Sequence, residues 1–121
     1  MNWREFEEFA RKIMSKYFGV ELFEANPKKF PKKFDMVSPD ERIVGDAKFL
    51  TLVKRKKLPP AKFMEIAAHV WLLEKIDAEK RFLVFGNQRR VIEWWLEKYG
   101  DLVVDIEFYF IDNKGRLERL R

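Results

Sequence analysis

Cysteine is missing altogether from this 121-residue chain, which removes disulfides, thiolate zinc sites and cysteine nucleophiles together. Histidine occurs once, as His69, so a metal centre built from several imidazoles is excluded. Glutamine and threonine also occur once each, whereas charged residues reach 37%; plentiful Lys, Glu and Arg with few amide side chains is the bias of proteins that work hot. No glycine-rich phosphate loop and no Ser/His/Asp signature is present. Apolar runs all fall short of membrane-spanning length, and the opening MNWREFEEFA is charged and amphipathic, unlike a signal peptide. These absences lead to the expectation of a cytoplasmic protein.

What is present suits a single domain over residues 1–121, with 47% apolar residues to build one core and a net charge of +5. Residues 3–18 carry the helical period in Trp3, Phe6, Phe9, Ala10, Ile13 and Tyr17, with Asn2 as cap and Gly19 as stop. Val20 to Ala25 reads as a first strand. Lys33 to Leu50 reads as a β-hairpin about Ser38-Pro39-Asp40-Glu41. A helix is expected from Pro60 to about Lys75, an apolar strand at Arg81 to Gly86, and a third helix at Arg89 to Tyr99. In that third helix the paired Trp94 and Trp95 are assigned to the core or to a homodimer interface. A last strand alternates through Val104, Ile106, Phe108 and Phe110. The turn Asp112-Asn113-Lys114-Gly115 then leads to an edge strand bearing Arg116, Arg119 and Arg121. The fold class expected is α/β, a sandwich around a mixed sheet.

The hairpin holds a conflict. Side chains alternate along a strand, so Asp46 and Lys48 project from one face while Gly45, Ala47 and Phe49 take the other. Asp35 lies in the facing strand. Charges interrupt a run that otherwise reads as core, and burying unpaired charge costs several kcal/mol each, on the order given for desolvated ions. Function is sought where local rules break in this way. Two basic clusters bracket the acidic pair: Lys28, Lys29, Lys32 and Lys33 before it, and Lys54, Arg55, Lys56 and Lys57 after it. They read either as solvated loops or as contacts to a polyanion, and their placement favours nucleic-acid phosphates. In the second helix Lys62, Glu65 and His69 share a face at i, i+3 and i+7. Turned to the hairpin they would stand behind the acidic pair or touch phosphate; turned outward they would be solvated. Glu7 lies beside the apolar stripe of the first helix, either as an i,i+4 partner of Arg11 or as part of the acidic site.

Asp35, then Asp46-Ala47-Lys48, preceded by a helix carrying a glutamate, resembles the PD-(D/E)XK nuclease superfamily over nearly the whole chain. Phe34 stands where the motif has proline. The Phe6-Glu7 pair is similar to that of Mrr-type enzymes and archaeal Holliday-junction resolvases. The resemblance implies a restriction-endonuclease-like α/β/α sandwich with element order αβββαβαβ(β). It also implies a Mg²⁺-dependent (or Mn²⁺-dependent) endonuclease acting on DNA, selecting structure more than sequence, since a chain this short leaves no room for a target-recognition domain. Asp35, Asp46, Glu7 and the Ala47 carbonyl would hold the metal, and Lys48 would act on the attacking water and the phosphate. The alternative is a catalytically silent nucleic-acid-binding module or a subunit of a larger complex.

Overall fold

Asn2 starts the first helix by a reciprocal cap. Its side chain accepts the Glu5 N–H at 2.8 Å, and the Glu5 carboxylate accepts the Asn2 N–H at 2.9 Å. Helix α1 (Trp3–Phe18) then runs to Gly19, whose φ of 70° is the left-handed conformation that ends helices. The computed structural model describes residues 1–51 and 60–121. Within them follow β1 (Phe23–Ala25), β2 (Phe34–Val37), β3 (Ile43–Leu50), α2 (Pro60–Lys75), β4 (Lys80–Asn87), α3 (Arg89–Tyr99), β5 (Glu107–Ile111) and β6 (Leu117–Arg119).

The described strands form one six-stranded mixed sheet in chain order. β1, β2 and β3 are antiparallel neighbours, as are β5 and β6, while β3, β4 and β5 run parallel. Parallel neighbours need crossovers, which α2 and α3 supply. Both pack on the sheet face that carries Val44, Leu83, Phe85 and Phe108. α1 covers the opposite face, over Met36, Ala47, Phe82, Val84 and Tyr109. The continuous apolar run Phe82 to Phe85 is thus buried from both sides. None of the described helices is long and apolar enough to cross a membrane.

Two strands are shorter than their sequence suggests, each because the N–H groups just before it are claimed by acceptors outside the strand. The Val20 N–H closes the end of α1 on the Ser15 carbonyl and the Leu22 N–H donates to Ser15 Oγ, so pairing begins only at Phe23. Before β5, the Val104 N–H goes to the Glu74 carboxylate and Asp105 takes a φ of 52°, so Val104 is exposed instead of inward. Of the paired tryptophans, Trp95 belongs to the core: its Nε1–H donates to the Phe63 carbonyl at 3.1 Å and its ring stacks on Phe108.

Gly45 lies against the Phe82 ring, where an added Cβ would come within 2.4 Å of ring carbons. Phe82 is fully buried and cannot give way. Gly45→Ala is therefore expected to cost about 1–3 kcal/mol, the usual penalty of overpacking. A thermal melt indistinguishable from wild type would show that the β3–β4 contact is looser than described.

Candidate active site

Beyond the Met36–Gly45 pair the β2–β3 ladder passes from backbone to side chains. The Asp35 N–H donates to Asp46 Oδ1 at 2.9 Å, and the Ala47 N–H donates to Asp35 Oδ2 at 2.9 Å. Each aspartate thus satisfies a backbone donor of the facing strand, which fixes both carboxylates where the strands part. Asp46 and Lys48 leave β3 on the same face as Val44 and Leu50, toward α2.

Asp46 is 1% exposed and holds two cationic or polar partners on one oxygen. Lys32 Nζ lies 2.7 Å from Oδ2 and His69 Nδ1 2.9 Å from it. Burial pushes the Asp46 pKa up, but the bonds from His69 and Lys32 outweigh it and hold the group below its ordinary value. An ionised carboxylate only accepts, so His69 Nδ1 carries the proton and donates. Asp35 goes the other way. Burial first, and the Asp46 charge second, push its pKa up to about 7. The Glu7 pKa is also raised, by partial burial first, then by Glu24 and, more weakly, Asp46, against the lowering by Arg11 and Lys48.

Glu7, Ala47, Lys48, Lys62 and Glu65 line an open groove of about 440 Å³ between α1, the end of β3 and α2. Lys48 Nζ stands 3.9 Å from Glu65, which also meets Lys62 at 3.5 Å. The α2 face bearing Lys62, Glu65 and His69 therefore turns to the hairpin. Arg11 is engaged elsewhere, donating to the Asp35 carbonyl and pairing with Glu24, so the simple i,i+4 pair with Glu7 is not what forms.

Three lysines of the first basic cluster have acidic partners within the chain. Lys32 is folded inward onto Asp46 and over the Phe34 ring. Lys28 meets Asp77 and Lys33 meets Glu24, while Lys29 takes a left-handed φ of 57° beside them. Lys54, Arg55, Lys56 and Lys57 lie outside the described residues. Sequence reasoning missed Lys32 and Arg11 as parts of the acidic cluster. The one usable signal was that Lys32 stands between Phe30 and Phe34, both core-directed.

No protein family, curated protein or solved structure matches the chain.

By chemistry, the donors fit a hard divalent cation: Glu7, Asp35, Asp46 and the Ala47 carbonyl offer only oxygen. Burial, and then the neighbouring Asp46 charge, make the Asp35 carboxyl lose its proton less readily than usual. The side chains are not drawn to a single point, since Lys32 and His69 occupy Asp46 Oδ2. Among the described residues no three His, Asp or Glu side chains stand close enough to share one ion.

The two aspartates should respond oppositely to neutralisation. From Asp35's ordinary value of 3.8 up to about 7, the folded chain keeps a proton that the unfolded chain has lost, so stability falls as pH rises through that window. Asp46, with its lowered pKa, stabilises the fold above its ordinary value and loses that contribution as pH drops through its folded pKa. At pH 8, Asp35→Asn is expected to raise the melting temperature, with the gain shrinking toward pH 4. Asp46→Asn strands Lys32 and should cost about 3 kcal/mol. Calorimetry at both pH values checks this, and the same sign for both variants at pH 8 contradicts it.

Proposed function

We propose that this chain is a metal-dependent endonuclease, hydrolysing phosphodiester bonds of DNA on a restriction-endonuclease-like α/β/α frame. The observation that carries the proposal is the exchange between Asp35 and Asp46 at the parting of β2 and β3, with Lys48 on the same strand face and Glu7 opening into one groove with it. Asp35, Asp46, Glu7 and the Ala47 carbonyl are the groups that would hold Mg²⁺ or Mn²⁺. Such an ion, when bound, supplies Lewis acidity and a water made more acidic. His69 fixes the Asp46 carboxylate from behind through its Nδ1–H. Lys48, 22% exposed and only loosely paired with Glu65, has hydrogens free to meet a phosphate oxygen or the attacking water. Lys62 adds positive charge at the rim of the same groove.

A second reading has its own support. Lys32 already neutralises Asp46, so the cluster is also consistent with a nucleic-acid-binding module whose acidic pair is structural.

Incubation with Mg²⁺ and a panel of duplex, single-stranded, flap and four-way-junction DNAs separates the two. Cleavage is expected, and Lys48→Ala should abolish it while leaving DNA affinity within about tenfold, because phosphate contacts elsewhere supply most of the binding. Glu7→Gln should impair cleavage where Glu8→Gln, on the exposed side of α1, does not. Mn²⁺ is also expected to raise the melting temperature by binding the folded state. DNA binding with neither cleavage nor a response to Mn²⁺ selects the binding module.

A further inference from the structure

A second cavity, of about 530 Å³, lies on the other side of Phe49, which lines both it and the acidic groove. It sits at the carboxyl ends of β3, β4 and β5, where Leu50 pairs with Asn87 and Gly86 with Ile111. That end of a parallel sheet is where ligands of open α/β folds collect, and the volume is within the ordinary range for small-ligand sites. Its walls are aromatic. Phe6 and Phe49 have ring centroids 5.6 Å apart at 43°, and Phe9 and Phe110 add two more rings to the lining. The Phe6 ring fills the space that a Cβ on Gly86 would need, so α1 approaches the end of β4 as closely as a backbone allows.

The polar groups select against an anion here. Arg89 lies over Phe110 at 5.4 Å, but its guanidinium is already held by Glu93 and bidentately by Glu118. Asp112, which also lines the cavity, has its carboxylate taken up by Arg116 at 2.7 Å, so with both charges matched the cavity offers flat apolar surface and amides. Asn87, in a left-handed backbone conformation with φ of 76°, donates Nδ2 to the Leu50 carbonyl at 2.7 Å, which leaves Oδ1 as a fixed acceptor. Asn113 adds a second amide from the β5–β6 turn. Planar π-faces with a few amide contacts suit a neutral heteroaromatic ring.

We propose that this cavity takes one unpaired nucleobase of the strand whose phosphate lies in the acidic groove, an inference that rests on the groove's binding nucleic acid. A base within a paired stack has its faces covered and leaves it only at a cost. The substrate class is therefore a strand carrying an unpaired nucleotide beside the scissile phosphate, at a bulge, flap or junction.

The test is equilibrium binding without divalent metal to three duplexes: one with a single bulged nucleotide, one with an abasic residue at that bulge, and one fully paired. Wild type is expected to prefer the base-bearing bulge over the abasic one by about tenfold, in line with base–aromatic stacking. Phe49→Leu, which keeps apolar volume without the ring, and Asn87→Gly, which keeps the left-handed backbone, should each bring the preference below about twofold. Equal wild-type affinity for base-bearing and abasic bulges overturns the inference, whatever the variants' stability. Adding Mg²⁺ to the same duplexes separates this inference from the proposed chemistry. Cleavage without base preference overturns only the cavity, base preference without cleavage overturns only the hydrolysis, and no binding to any duplex overturns both.

Discussion

The site depends on keeping one negative charge inside a sheet. A carboxylate as buried as Asp46 is tolerated only with its charge matched and its oxygens bonded. Three parts of the chain supply what it needs. The loop before β2 delivers Lys32, α2 delivers His69, and β2 delivers the Asp35 N–H. The Asp35 carboxyl is itself largely buried and stands beside that charge, so burial first and the Asp46 charge second push its pKa up to about 7. No side-chain polar atom buried among the described residues is left without a partner. The cluster therefore combines complete hydrogen bonding with a balance of charge that holds while Lys32 stays on Asp46 and Asp35 keeps its proton.

Much of this was legible from the chain because the elements that frame the site have strong periods. Trp3 to Phe18, Pro60 to Lys75 and Arg89 to Tyr99 are helices as the apolar stripes required, and period two put Asp46 and Lys48 on one face. The role of Lys32 was not legible. Four lysines in PKKFPKK are alike in composition, and only the three-dimensional path through Phe30 and Phe34 chooses which one turns inward. The starts of β1 and β5 were misplaced because Ser15 Oγ and the Glu74 carboxylate capture backbone N–H groups from outside the strands. Propensity has no term for such capture. Tyr109, on the β5 face opposite Phe108, is buried as well, because α1 covers that face and Glu107 accepts the Tyr109 hydroxyl.

Sheet topology explains why the groove and the aromatic cavity share a wall. β3, β4 and β5 run parallel and end together at Leu50, Asn87 and Ile111. At that end β3 and β4 lead into crossovers and β5 into the turn before β6, and only small or left-handed backbone lets α1 come close there, as Gly86 and Asn87 do. Phe49 is the last α1-facing side chain of β3, placed between the two spaces by alternation alone. Both spaces lie at this end of the sheet because the parallel strands stop there.

The two lysines near the acidic pair have different work because of where they are anchored. Lys48 is two residues from Asp46, about 6.6 Å along a strand, and its ammonium reaches toward Glu65 and the groove rather than back to Asp46. Lys32 comes from a loop, and its ammonium is held by Asp46 and the Lys33 carbonyl, with the side chain still 20% exposed. One is anchored in the sheet and reaches the groove; the other pairs with Asp46 from a loop. Charge counting under the proposed function makes the distinction matter. With Lys32 in place, an ionised Asp46 and a protonated Asp35 carry one negative charge against one positive. A divalent ion in place of the ammonium would match two ionised aspartates, so the proton on Asp35 and the ammonium on Asp46 are together the equivalent of the ion they exclude.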